Sequence, residues 1–157
     1  MTERGLDLRE GFESALLRAI PVRSVLAPRR DVVRLETGLA AVRSRLIACI
    51  DGHLFVTTGD GRLLGIITLA DPSEAVFETA TDALVCAHDL ARSRAPFLVA
   101  SDNLETALSL HRETGESTLP VVRDADGMTY LGCVHERDVM AAYNRALLES
   151  RREERND

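Results

Sequence analysis

The sequence predicts a mixed α/β (α+β) fold made of two similar units, each running strand, helix, strand, turn, strand, helix. Three observations predict it. Gly65-Ile66-Ile67-Thr68-Leu69-Ala70-Asp71 returns, weakened, as Gly132-Cys133-Val134-His135-Glu136-Arg137-Asp138, 67 residues later (132 minus 65). The turn pair Asp60-Gly61 returns as Asp126-Gly127, so the register of the two copies holds. Apolar residues make up 45% of the 157, enough for a core shared by two small units. Two copies are too few for an open solenoid, so face-to-face packing about a pseudo-twofold axis is expected.

Each element has a local cause. Asp7-Leu8-Arg9-Glu10 matches a capping pattern, and Phe12, Leu16 and Ile20 recur every four residues, which predicts an amphipathic helix ending before Pro21. This entry segment, residues 1–20, lies outside the duplication. Val32-Val33-Arg34-Leu35 suits a strand, and Leu39, Val42, Leu46 and Ile50 share one helical face. Leu54 to Thr57 and Leu63 to Thr68 read as strands joined by the tight turn Gly59-Asp60-Gly61. Asp71-Pro72-Ser73-Glu74 starts a helix of about two turns, which completes a first unit over 21–82. The second unit, over 83–150, includes a crossing from Asp89 to Pro96. It repeats the order as Phe97 to Val99, a helix from Leu104 to about His111, Leu119 to Val122, Tyr130 to Val134 and a last helix from about Glu136. Val139, Met140, Tyr143 and Leu147 lie on one side of that helix, and 151–157 reads as a solvated, fraying tail.

Composition narrows the function. A net charge of −6 argues against nucleic acid, whose binding needs a basic face, but leaves room for a single nucleotide in a local site. All 19 basic residues are arginine, which reads as the codon bias of a GC-rich bacterium. Apolar runs such as Leu63 to Ile67 fall short of the ~20 residues of a membrane helix, and nothing at the start suggests export, so a cytoplasmic chain is expected. Cys49, Cys86 and Cys133 are read as small buried hydrophobes, and the four histidines share no metal-ligand spacing. Cys133 and His135 share a strand face, but a thiol set among apolar residues is inert; with no activated nucleophile to name, no enzymatic activity is expected.

A hairpin turn followed by Gly-Ile-Ile-Thr-x-x-Asp, in two copies, resembles the tandem cystathionine β-synthase (CBS) domain, or Bateman module, over about Val22 to Leu148. A narrower resemblance lies at the edges. Arg4 to Gly11 with Leu17 to Arg23, and His135 to Val139 with Ala142 to Leu147, are similar to the segments flanking the CBS repeats in bacterial CLC chloride channels and transporters. The resemblance implies a homodimeric regulatory domain at the cytosolic face of the inner membrane, attached to the membrane part of such a transporter. It needs no cofactor and takes an adenine nucleotide, ATP, ADP or AMP, as its ligand. The runner-up readings are a nucleotide-independent dimerisation scaffold and a free-standing CBS pair acting on another partner.

The resemblance also implies two clefts. In the family an aspartate takes the ribose hydroxyls and a Ser/Thr three residues earlier approaches phosphate; carried over, these are Thr68 with Asp71, and Asp138 with His135 in place of the Ser/Thr. A fixed carboxylate accepting from both vicinal hydroxyls makes bonds worth about 1.5–3 kcal/mol each. Asp71 is expected to face Ser117 and Thr118, and Asp138 to face Ile50 and Asp51. Ile50 offers no aromatic ring to stack on adenine and Asp51 adds negative charge, so the Thr68–Asp71 cleft is favoured if one alone binds. On the residues alone two readings of Asp71 stay open: with Pro72 and Glu74 it is a helix cap worth about 1 kcal/mol without any ligand, or a cap that also binds one.

Overall fold

A computed structural model describes residues 11–28, 31–49, 52–68, 86–91 and 95–156. Helix α1 covers residues 11–18, and a 3₁₀ turn follows at Val22–Val25. The first unit holds β1 (Val32–Arg34), α2 (Leu39–Ala48), β2 (His53–Thr57) and β3 (Leu63–Thr68); α3 (Ala87–Leu90) comes next. The second holds β4 (Leu98–Val99), α4 (Leu104–Thr114), β5 (Thr118–Val122), β6 (Tyr130–His135) and α5 (Glu136–Asn156). Among the described residues no helix is long and apolar enough to cross a membrane.

The two sheets have orders β1-β2-β3 and β4-β5-β6. In each the first pair is parallel, bridged by a crossover helix, and the second pair is an antiparallel hairpin. The hairpin ladders slip at matching places, between Val56 and Thr57 and between Val121 and Val122. Every residue of the central strands β2 and β5 is buried, because helices cover one face of each sheet and the other sheet covers the second. Val33, Val42, Leu46, Leu54, Val56, Ile67 and Ala87 form the core under α2. Leu17, Val22, Leu98, Leu104, Leu119, Val134 and Val139 form the corresponding core of the second unit.

Phe55, Leu63 and Ile66 of one sheet meet Val122, Tyr130 and Cys133 of the other in a middle layer, with the Phe55 and Tyr130 rings 5.2 Å apart. Arg62 and Thr129, equivalent positions of the two copies, form an antiparallel bridge. Around it the Leu63 N–H donates to Met128 O at 2.7 Å and the Tyr130 N–H to Gly61 O at 2.9 Å. A bridge between equivalent residues, flanked by reciprocal bonds, is what a local twofold relation requires.

Several elements depart from expectation. On α1 the buried residue is Leu17, whereas Phe12 is 46% exposed, so the apolar stripe is rotated from the four-residue spacing. Helix α4 runs three residues past His111, because Asn103 accepts from the Thr106 N–H at its start and Gly115, at φ +73°, turns the chain out of the helix at its end. The stretch 151–156 continues α5 rather than fraying; Arg and Glu are strong helix formers, and the pair Glu149 and Arg152 is spaced to support it. The expected capping pattern at Asp7, the helix starting at Asp71, and Ile50 lie outside the described residues.

The segment Pro21 to Pro28, grouped by sequence with the first unit, lies against the second. The Val22 N–H donates to Asp102 O at 2.9 Å, the Leu104 N–H to Ile20 O at 3.0 Å, and the Ala27 N–H to Cys133 O at 2.7 Å. Gly132 makes that approach possible, since a Cβ there would stand 2.4 Å from the Ala27 carbonyl oxygen.

Candidate functional site

Strand β6 passes into α5 without a loop: His135 ends one, Glu136 starts the other, and the Glu136 N–H donates to Ser117 O at 2.8 Å. Asp138 therefore sits in the first turn of a long helix, where peptide dipoles favour an anion. From Asp138 a single face of α5 presents Ala141, Ala142, Arg145, Ala146 and Glu149. Opposite stand Ser24, Val25, Leu26, Ala27 and Pro28, held there by the Ala27–Cys133 bridge. The cleft between them has a volume of about 620 Å³. Among the described residues its walls are apolar except for Ser24, two carboxylates and one guanidinium, and the Ser24 hydroxyl donates back to Pro21 O at 2.7 Å.

The other sequence candidates divide. Thr68 ends β3, half-buried, paired with His53 in the ladder. Its counterpart in the second sheet has the residue types exchanged, Thr118 opposite His135. Thr118 is buried and its hydroxyl lies 3.0 Å from His135 Nδ1, while His135 Nε2 lies 3.8 Å from Cys133 Sγ. The His135 ring is thus engaged at both nitrogens, and of the Ser117-Thr118 pair Ser117 is the exposed member. Asp71, Ile50 and Asp51 lie outside the described residues. The described residues therefore bring together the walls of the Asp138 cleft. Two of its parts escaped the sequence reading, the Ser24 to Pro28 wall and Arg145. The second had a signal, since Arg145 follows Asp138 by two helical turns.

A cavity of similar size, about 660 Å³, opens beside the first hairpin turn between Arg34, Thr37, Arg45 and Asp60, and holds none of the sequence candidates. Among the described residues no three His, Cys, Asp or Glu side chains cluster to hold a metal ion.

The family model of the CBS domain matches residues 87–145. The chain contains a CBS domain. Its fold as a whole matches solved CBS pairs. The CBS domain of a CBS domain containing membrane protein from Sphaerobacter thermophilus is 23% identical, with 88% of this chain and 96% of that one covered at a TM-score of 0.63. CBSX2 of Arabidopsis thaliana, solved in complex with AMP, is 26% identical over 84% of this chain and 98% of that one, at 0.63. The CBS domain of a bacterial CNNM/CorC family Mg²⁺ transporter, solved in complex with ATP, is 20% identical over 87% and 96%, at 0.64. Among curated proteins no sequence match reaches significance.

Proposed function

We propose that the chain is a regulatory CBS pair that senses an adenine nucleotide in the Asp138 cleft. The observation that carries this is the carboxylate of Asp138 in the first turn of α5, facing a cavity whose far wall is the segment leading from α1 into the first unit. A carboxylate so placed accepts from vicinal ribose hydroxyls, and the apolar wall Val25 to Pro28 suits a base. The AMP and ATP complexes of CBSX2 and the CNNM/CorC domain support the ligand class. The alternative site is the Thr68–Asp71 pair of the sequence reading, with exposed Ser117 as its partner from the other unit.

Occupancy regulates only if the ligand binds two arrangements of the module unequally. Here the wall that a ligand touches is continuous with α1 through Ile20 and Pro21, so a ligand that tightens the wall also fixes α1 on the second unit. The finer reading, resting on His135 to Val139, Ala142 to Leu147 and Leu17 to Arg23, is a homodimeric cytosolic domain of a CLC-type anion transporter. Magnesium-transporter domains and CBSX2 among the structural neighbours favour other partners equally, so the reading predicts a concrete genomic fact: coding sequence for apolar spans directly upstream of Arg4.

Calorimetric titration with AMP, ADP and ATP tests the ligand. Saturable binding that falls at least tenfold in Asp138→Ala and is retained in Asp71→Ala is the expected result. Loss in Asp71→Ala alone would transfer the function to the Thr68 cleft. Absence of heat and of any thermal shift at millimolar nucleotide would leave a dimerisation scaffold.

A further inference from the structure

We infer that Arg145 is the phosphate-recognising residue of the Asp138 cleft, and makes the site select nucleotides over nucleosides. This rests on the nucleotide reading above and deepens it. Among the described residues lining the cleft Arg145 is the one cation. It stands seven residues beyond Asp138 on the same face of α5, a rise of about 10 Å. Between the two charges that face carries Ala141 and Ala142, whose short side chains leave the space open.

Three main-chain donors of the opposite wall are already committed. The N–H groups of Ser24, Leu26 and Ala27 donate to Pro21 O, Arg23 O and Cys133 O, and Pro28 has none. The Ser24 hydroxyl is committed to Pro21 O as well. Two other arginines of the molecule are engaged: Arg62 donates to Gly127 O at 3.0 Å, and Arg18 lies 3.6 Å from Glu105. Arg145, exposed, makes no ion pair or hydrogen bond among the described residues, although Glu149 is one turn away on its own helix. A free, planar five-donor group at the end of an otherwise donor-poor cleft is suited to a phosphate, which it meets with two parallel bonds.

The test is the affinity of the full chain for adenosine against AMP, ADP and ATP, in wild type, Arg145→Ala and Arg145→Lys. The wild type should prefer its best nucleotide over adenosine by tenfold or more. Arg145→Ala should bring that preference to within about threefold while leaving adenosine affinity unchanged, which also reports that the cleft is intact; Arg145→Lys should keep an intermediate preference, since it retains the charge and loses the fork. A preference undiminished in Arg145→Ala overturns the assignment of Arg145 and leaves the nucleotide site standing. Equal loss of adenosine and nucleotide overturns it too, as a packing effect. A wild-type chain that binds neither adenosine nor nucleotide overturns the nucleotide reading itself, and this inference with it.

Discussion

Sheets β1-β2-β3 and β4-β5-β6 share order, strand directions and a ladder slip at matching places, after Val56 and after Val121. They are finished differently. Helix α4 of the second unit has Asn103 as a side-chain cap and Gly115 as a left-handed stop, whereas α2 of the first begins at Gly38 with no side-chain cap and leaves Ile47 73% exposed. Leu17 from outside the duplication and Val22 from the start of the first unit add to the second core, and Ala27 bridges its third strand. The hairpin turns differ as well. Asp124 accepts from the Gly127 N–H at 2.6 Å in the second, while in the first the Thr58 hydroxyl donates to the Asp60 carboxylate. Duplication thus repeats what the strand pattern dictates, namely the sheets, while caps and the docked N-terminal segment give the second copy its cleft.

The sharpest way to break this comparison is at the docked segment. Gly132→Ala places a Cβ 2.4 Å from the Ala27 carbonyl oxygen and should cost more than about 3 kcal/mol in chemical denaturation. Gly61→Ala, at φ +86° with nothing within 4 Å, should cost about 1–2 kcal/mol from backbone conformation alone. Equal losses would mean that the contact of Pro21–Pro28 with β6 contributes little to the second unit.

Smaller effects sharpen the contrast between the helices. Asn103→Ala should destabilise by about 1 kcal/mol, while Gly38→Asp, at an extended position with open space around it, should stabilise by a few tenths, both read from denaturation midpoints. A stabilisation of α2 as large as the loss at α4 would show that the missing cap, rather than the missing packing, separates the copies.

The smallest effect concerns the first turn. Hydrogen bonds from the Thr58 hydroxyl and from its own backbone N–H, with Arg62 nearby, hold the Asp60 carboxyl below its ordinary value of 3.8. A depressed folded-state pKa contributes stability above the unfolded value and loses it as pH falls through the folded one. Asp60→Asn should therefore be slightly less stable than wild type at neutral pH and converge with it in acid, as pH-dependent thermal melts would register. A gap independent of pH would remove the carboxylate's charge from the account of this turn.

By itself the sequence determined the repeat, the strands, the first hairpin turn and the place of Asp138 at the start of a helix. Alternation in strands, helical spacing and turn residues are local, and each acts within a few residues. Tertiary structure alone decided that Pro21 to Pro28 serves the second unit, that Leu17 rather than Phe12 is the buried anchor of α1, and that Arg145 shares a cavity with Asp138. Those outcomes depend on which apolar surfaces remain to be covered once both sheets have met, and on one glycine letting two backbones touch. Ala27 and Cys133 bond directly, yet they stand in different copies of the repeat, and no local pattern at either position names the other.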